Sequence, residues 1–338
     1  MMPEIKVGTQ KYRAVIITET GENLDLTPKE TPIVSELSWE EARQELAARA
    51  TFSFPNIRVE RVRLVNKIKM GQKVFIYSDW GQGMTEVFRG TIFRRGLEDD
   101  ENGSIELTVY DNSFYLQRSR DQLYVANWTS CRAAITRLLD RWKVPYAYNG
   151  PSTILAKGRL FKGDTVAEII LTLLDEARQK GGGEHVAKDV QGKIIIEPIG
   201  HNQTVWVLTR AALGHVMDDQ SIEDLVTRVK ILSDLGNDRE SPVAAVVDGK
   251  TEFGILQEII NHDTDESLAE ARQAAQTILK DRGAPIRTIS FEAPDVPPLR
   301  KGDLAHIDIG ERKVEVIVES VQHNALQKKM SLEVHPKL

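Results

Sequence analysis

The segment Met70-Gly-Gln-Lys-Val-Phe-Ile-Tyr, followed by Val87-Phe-Arg-Gly-Thr-Ile, has an echo near the far end of the chain. There Lys301-Gly-Asp-Leu-Ala-His-Ile-Asp is followed by Val314-Glu-Val-Ile-Val-Glu-Ser-Val. In each case a glycine at a turn, Gly71 or Gly302, launches an alternating strand, and a β-branched strand returns after a short connection. A small antiparallel barrel has this pattern. Two such patterns roughly 230 residues apart imply two similar β units with other structure between them; the alternative is a pair of unrelated hairpins.

Length supports several units. At 338 residues the chain exceeds the size at which one hydrophobic core stops growing, so two or three packed units are expected. With 41% hydrophobic and 28% charged residues, the composition is that of folded domains rather than disorder or fibre. A formal net charge of -6 gives no overall electrostatic footprint for nucleic acid. The one cysteine, Cys131, sits on the apolar face of an expected helix; an intrachain disulfide and a thiolate cluster are excluded, and it reads as a small buried hydrophobe. Met1 to Gly8 carries no apolar signal region, and no apolar run approaches the roughly 20 residues that span a bilayer, so no membrane insertion is expected.

The first third reads as strands at Tyr12 to Thr18, Thr51 to Phe54, Lys73 to Ser78, Thr85 to Arg94 and Ser104 to Tyr110. Glu98 to Ser104 reads as a tight hairpin turn through Asn102-Gly103, without the ligand spacing of an EF-hand. Trp39 to Arg49 has helical propensity between strand-like runs and fits either a short helix or a strand crossover. One amphipathic helix is expected from Thr129 or Ser130, through Ile135 and Leu138 to Trp142. Another follows Gly163-Asp164, with Asp164 as cap candidate and Gly181 to Gly183 as its exit. Strands return at Lys193 to Pro198 and Val205 to Thr209, then around Thr227 to Ile231, Val243 to Val247 and Gly254 to Ile259. A helix from Ser267 to Lys280 precedes an all-strand tail.

Catalytic signatures are missing. The chain has no nucleophile elbow, no H-E-x-x-H helix, no Rossmann glycine fingerprint and no Walker loop. Its histidines stand singly, without a second ligand type at helical spacing. The carboxylates Asp218, Asp219, Glu223 and Asp224 could serve a wall-degrading glycosidase, but they lack an aromatic sugar platform and read as charges at an element's start. No catalytic residue, cofactor or metal ligand is assigned.

The run Val109-Tyr-Asp-Asn-Ser-Phe-Tyr-Leu-Gln-Arg-Ser, continuing through Leu123 to Thr129, resembles the tail hub proteins of PBSX-like prophages. So do Ser38-Trp39, Ser221 to Val229, Gly254 to Gln257, Gly302-Asp303, the strand ending in Gln322-His323, and Met330 to Val334. The order is kept over nearly the whole length. The chain departs from the family after the early Trp, where Glu40-Glu41-Ala42 replaces a glycine-containing turn.

The resemblance implies an α+β, mainly β fold with two tail-tube-like antiparallel β-barrel domains. They would occupy residues 1–118 and 219–338, with an α+β module at 119–218. It implies a structural baseplate hub, related to those of Mu-like and T-even phages: a homotrimer whose barrels form a pseudo-sixfold ring between tail tube and central spike. Tube or tube-initiator protein, spike, tape-measure and wedge proteins would be its partners, with DNA only as lumen cargo. Its place would be a virion, contractile injection system or tail-like particle assembled in the host cytoplasm. The family-motif positions, with structural roles, are Trp39, Gly71, Gly90, Asp111, Tyr115, Leu116, Asp224, Gly254, Gly302, Asp303 and His323. A tail-associated cell-wall hydrolase is the competing reading, and a carbohydrate- or receptor-binding adaptor a third.

Overall fold

The computed structural model describes residues 10–28, 33–59, 61–98, 103–155, 157–233, 240–262, 267–308 and 313–337. The N-terminal region supplies strands β1 (Lys11–Ile17), β2 (Asn23–Asp25), β3 (Glu36–Ala42) and β4 (Arg49–Pro55). The small hairpin β5 (Arg58–Val59) and β6 (Val62–Arg63) follows, then helix α1 (Leu64–Lys67) and strands β7 (Lys73–Asp79), β8 (Thr85–Leu97) and β9 (Ser104–Tyr110). The middle carries α2 (Ser113–Arg118), β10 (Arg120–Val125), β11 (Thr129–Ser130), α3 (Cys131–Arg141), β12 (Tyr146–Tyr148), β13 (Ile154–Leu155), β14 (Arg159–Thr165), α4 (Val166–Ala177), β15 (His185–Val190) and β16 (Lys193–Pro198). The C-terminal region adds β17 (Trp206–Thr209), β18 (Gly214–Ser221), β19 (Arg228–Ser233), β20 (Val243–Asp248), β21 (Gln257–His262), α5 (Leu268–Arg282), β22 (Ile286–Pro294), β23 (Leu304–Asp308), β24 (Lys313–Asn324) and β25 (Lys329–Pro336). Among the described residues, no helix is long and apolar enough to cross a membrane.

Thirteen of the described strands form one sheet, in the path β18-β22-β25-β24-β3-β4-β9-β8-β7-β1-β2, with β23 pairing β24 and β17 pairing β23. Period-two patterning drives each half. Ala50, Phe52 and Phe54 of β4, Leu107 and Val109 of β9, and Val74 and Ile76 of β7 are all buried in one N-terminal core. That half curls on itself. Four strands separate β1 from β3 in the path, yet the rings of Tyr12 and Trp39 lie 6.0 Å apart. Trp206, Phe291, Val316, Val318 and Leu332 fill the corresponding C-terminal core.

The echo in the sequence is a repeat in three dimensions. Both β3-β4-β9-β8 and β18-β22-β25-β24 are antiparallel four-strand ladders in the same order. In the first, Gly71 N–H donates to Ile92 O at 2.9 Å and Ile92 N–H to Gln72 O at 3.0 Å. In the second, Gly302 N–H donates to Val318 O at 2.8 Å and Val318 N–H to Asp303 O at 3.0 Å. A bulge follows immediately in each returning strand, between Ile92 and Arg94 and between Val318 and Ser320. The fold is thus mainly β, as expected, but the two halves are fused through the β24–β3 pairing rather than separate, and the β17–β23 pair is parallel.

The remaining elements form two additions. Helices α3 and α4 pack with β10, β14 and β16 around Ile135, Leu138, Ile169, Ile170 and Leu173. Ser130 caps α3 as expected, but Thr165, not Asp164, caps α4, through a capping box with Glu168; the Asp164 carboxylate accepts Lys162 N–H instead. The second addition packs α5 on the β20-β19-β21 sheet around Val229, Ile231, Ala271 and Ala275. Position 218, where the middle module was expected to end, lies inside β18, whose pairing with β22 carries it into the C-terminal half. The hairpin turn expected at 98–104 falls largely on residues 99–102, outside the described residues. Trp39 to Ala42 is strand, not helix: pairing on both edges of β3 overrides the local propensity.

Gly71 and Gly302 both adopt left-handed backbone, with φ of 84° and 79°. A Cβ on Gly71 would meet open space, whereas one on Gly302 would lie 2.7 Å from a Val186 methyl on β15. Gly71→Ala is therefore expected to cost about 1–2 kcal/mol, from the backbone alone, and Gly302→Ala about 2–5 kcal/mol, with overpacking added. Urea denaturation should rank them so, and Val186→Ala should be less harmful in the Gly302→Ala background than alone.

Candidate functional site: a buried polar joint between the two halves

The place where β24 meets β3 concentrates the buried polar chemistry of the molecule. Pairing sets His323 opposite Trp39, and their rings stack at 4.6 Å with 13° between planes. His323 is held from both ring nitrogens. Its Nε2 donates to Leu299 O at 3.1 Å, and Nδ1 is 2.6 Å from Asp295 Oδ1. Asp295 is fully buried, and it also accepts from the Tyr12 hydroxyl, while its carbonyl accepts from Gln10 Nε2 at 2.8 Å. Burial, then the Asp295 charge, pushes the Tyr12 hydroxyl far above the ordinary tyrosine range. This cluster ties β1, β3, β24 and the 295–299 loop together.

Two residues along β3, on the face that Trp39 buries, stands Glu41. Arg300 grips it with two parallel hydrogen bonds, Nε to Oε1 at 2.7 Å and Nη2 to Oε2 at 2.6 Å, and Lys301 N–H donates to Oε1 at 3.1 Å. Burial alone would raise the Glu41 carboxyl, but Arg300, with help from Lys301 and Lys188, holds it down at about 2. The fully buried Lys301 ammonium donates to the carbonyls of Glu45 and Leu46. Burial lowers it to about 8 against the pull of Glu41 and Asp111.

The middle module enters the same network through β15. Lys188 Nζ lies 3.0 Å from Asp303 Oδ1 and 2.9 Å from Glu197 Oε1, and Arg300 Nη1 donates to Asp189 O at 2.8 Å. Asp303 Oδ2 in turn accepts Arg300 N–H at 2.9 Å. Asp111, at the end of β9, accepts Ala48 N–H and Ser113 N–H, each at 2.9 Å, which fixes the start of α2. Asp111, Asp189, Arg89 and Arg300 line a cavity of about 60 Å³, a polar space of water dimensions. Asp189 Oδ2 is buried there without a protein partner. Burial, then the Asp189 charge, pushes Asp111 up to about 7.

A family model described as YQBQ-like matches residues 37–335. The chain belongs to the YQBQ-like family. It is 26% identical over 230 residues to the uncharacterized protein YqbQ of Bacillus subtilis (strain 168), over 67% of this chain and 69% of that one. Its fold is similar to the 43 kDa tail protein of prophage MuSo2 from Shewanella oneidensis, with a TM-score of 0.67 at 13% identity, over 96% of this chain and 98% of that one. It is also similar to the Escherichia coli type VI secretion component c3393, itself described as structurally similar to the T4 bacteriophage tail proteins gp27 and gp5. There the TM-score is 0.54 at 12% identity, over 90% of this chain and 74% of that one.

In this YQBQ-like chain the joint gathers five of the singled-out positions: Trp39, Asp111, Gly302, Asp303 and His323. Gly71 and Gly90 lie at the corresponding place in the N-terminal ladder, where a Cβ on Gly90 would collide with the Tyr110 carbonyl. Leu116 of α2 is buried in the middle core, while Tyr115 is exposed. Asp224 and Gly254 lie apart, in the second addition, as carbonyl acceptors for Arg282 Nε and the Thr227 hydroxyl. Sequence reasoning missed Glu41, Lys188, Asp295, Arg300 and Lys301. A signal existed for Glu41, since a strand through Trp39 puts residue 41 on the same face.

Breaking the Glu41–Arg300 pair strands a buried charge, so Arg300→Met is expected to cost about 3–5 kcal/mol, with Glu41→Gln/Arg300→Met costing less than the sum of the singles. Asp111 gives a pH signature. Its folded pKa of about 7 exceeds the unfolded value near 3.9. Its contribution is therefore fully present below about pH 4 and is lost as pH rises towards 7. Urea midpoints measured from pH 4 to 8 should fall less steeply for Asp111→Asn than for the wild-type chain.

Proposed function

We propose that this protein is a structural hub of a contractile phage tail or tail-like particle, forming a trimeric pseudo-sixfold ring between the tail tube and the central spike. One observation carries the reading: each chain holds two equivalent four-strand ladders in one continuous sheet, locked together by a buried polar joint. Three such chains present six similar units, which matches a sixfold tube above to a threefold spike below. The likeness to prophage and secretion-system tail proteins supports the same role. Tube or tube-initiator, spike, tape-measure and wedge proteins are the partners this reading supplies, and assembly in the host cytoplasm follows from it.

The role is mechanical and needs no catalytic site. Of the carboxylates considered for a wall hydrolase, Asp218 is gripped by Arg287 through two hydrogen bonds, at 2.8 and 2.6 Å, which hold it below the usual carboxylate range. A general acid requires the opposite shift. Multi-angle light scattering of the purified chain across its soluble concentration range should reach the mass of a trimer. Peptidoglycan zymography should show no clearing, and clearing abolished by Asp219→Ala or Glu223→Ala would reverse the reading.

A further inference from the structure

The joint between the two ladders uses only one of two equivalent pairs of edges. Within the chain, the bulged, returning strand of the second ladder (β24) pairs through Ser320 to Asn324 with the first strand of the first ladder (β3). The matching edges are the bulged half of β8 in the first ladder and the first strand of the second ladder, β18. Beyond Thr91, β8 pairs only with β9 among the described strands, and β18 pairs only with β22. β18 is exposed at all but its last position, and Met217 on it is 60% exposed. An open edge of that length with apolar side chains is a template for another strand.

We propose that β18 of one chain pairs antiparallel with the β8 edge of a second copy of this chain, repeating between molecules the contact that β3 and β24 make within one. The inference rests on the ring reading above and names the surface that closes the ring. The internal equivalence also fixes the register. The bulges align Val318 with Ile92, and hence Ser320 with Arg94 and Gln322 with Gly96. Trp39 pairs Ala50 and Asp218 pairs Ile289, at matching places in the two ladders, so Glu40 and Ala42 align with Asp219 and Ser221. Because Gln322 pairs Glu40 and Ser320 pairs Ala42, Gly96 will sit opposite Asp219, and Arg94 opposite Ser221.

Charge agrees with this assignment, which the alignment of bulges did not use. The β8 edge carries Arg94 and Arg95 and adjoins residues 65–68, next to Lys67 and Lys69 in the sequence, since the Arg95 guanidinium donates to the carbonyls of Val65 at 2.9 Å and Ile68 at 2.6 Å. β18 carries the exposed Asp219 beside Asp218, whose charge Arg287 already pairs within the chain, and runs on towards Glu223. In this register Arg94, opposite Ser221, lies diagonal to Asp219, within reach of a long side chain, and the segregation of basic and acidic edges favours head-to-tail over self-pairing.

The test is a full-length Gly96→Cys/Asp219→Cys double variant under mild oxidation, run on a non-reducing gel beside Gly96→Cys/Met217→Cys, which is two residues out of register. A Cβ at Gly96 meets only ordinary contacts, the nearest at 3.6 Å, and Asp219 is exposed, so both sites accept cysteine. β8 and β18 do not pair within a chain, and a link between two molecules runs at a multiple of the monomer mass, whereas a link within one molecule does not. Linked oligomers from the in-register pair, at least tenfold more than from the shifted pair, are expected. If the chain associates by light scattering but the in-register pair gives no excess, this interface is overturned and the ring reading stands. If the chain is monomeric throughout its soluble range, both fall.

Discussion

The pairing of β24 with β3 is the contact on which the rest of the molecule depends. Without it the chain would be two curled sheets on a tether. With it, one sheet runs from β18 to β2. Ladder hydrogen bonds alone would allow the two edges to slip, because a shift by two residues preserves which face each side chain takes. The stacked Trp39 and His323 rings, the Asp295 cluster and the Arg300 grip on Glu41 permit one register only. Buried ion pairs are poor sources of net stability, since desolvation offsets most of the attraction. Their use here is specification: an out-of-register joint would leave Glu41, Arg300 and Lys301 buried without partners.

The same joint seats the middle module. Lys188 of β15 reaches Asp303, and the methyl groups of Val186 lie against Gly302, where a side chain would not fit. The short segment 299–303 therefore bonds to the first strand of one ladder, turns into the other ladder and packs on the intervening module. A network with its charges partnered in this way holds the meeting point of the three parts rigid. The exception is Asp189 Oδ2 beside Asp111, where two carboxylates face one small cavity and make the contact sensitive to pH.

Bulges at matching places, glycine turns at matching places and one order of strands make the two ladders equivalent, while the strands beyond them differ: β1 runs antiparallel to β7, whereas β17 runs parallel to β23. In the proposed ring a neighbouring copy would repeat between molecules the contact that β24 and β3 make within one, and would cover the exposed apolar residues of β18.

The sequence by itself determined the local level: alternating strands, the Ser130 cap, the buried stripes of α3 and α4, and the echo between Gly71 and Gly302. These follow from periodicity and backbone freedom, which act over a few residues. Tertiary structure decided which strand lies beside which, and hence that Trp39 to Ala42 is strand, that β17 and β18 join the C-terminal half, and that Glu41 needs Arg300. Those residues are some 260 positions apart, and no local rule links them. Pairing along a chain is chosen by the whole set of edges and charges competing at once, so the charged residues of the joint looked like ordinary surface until the fold brought them inside.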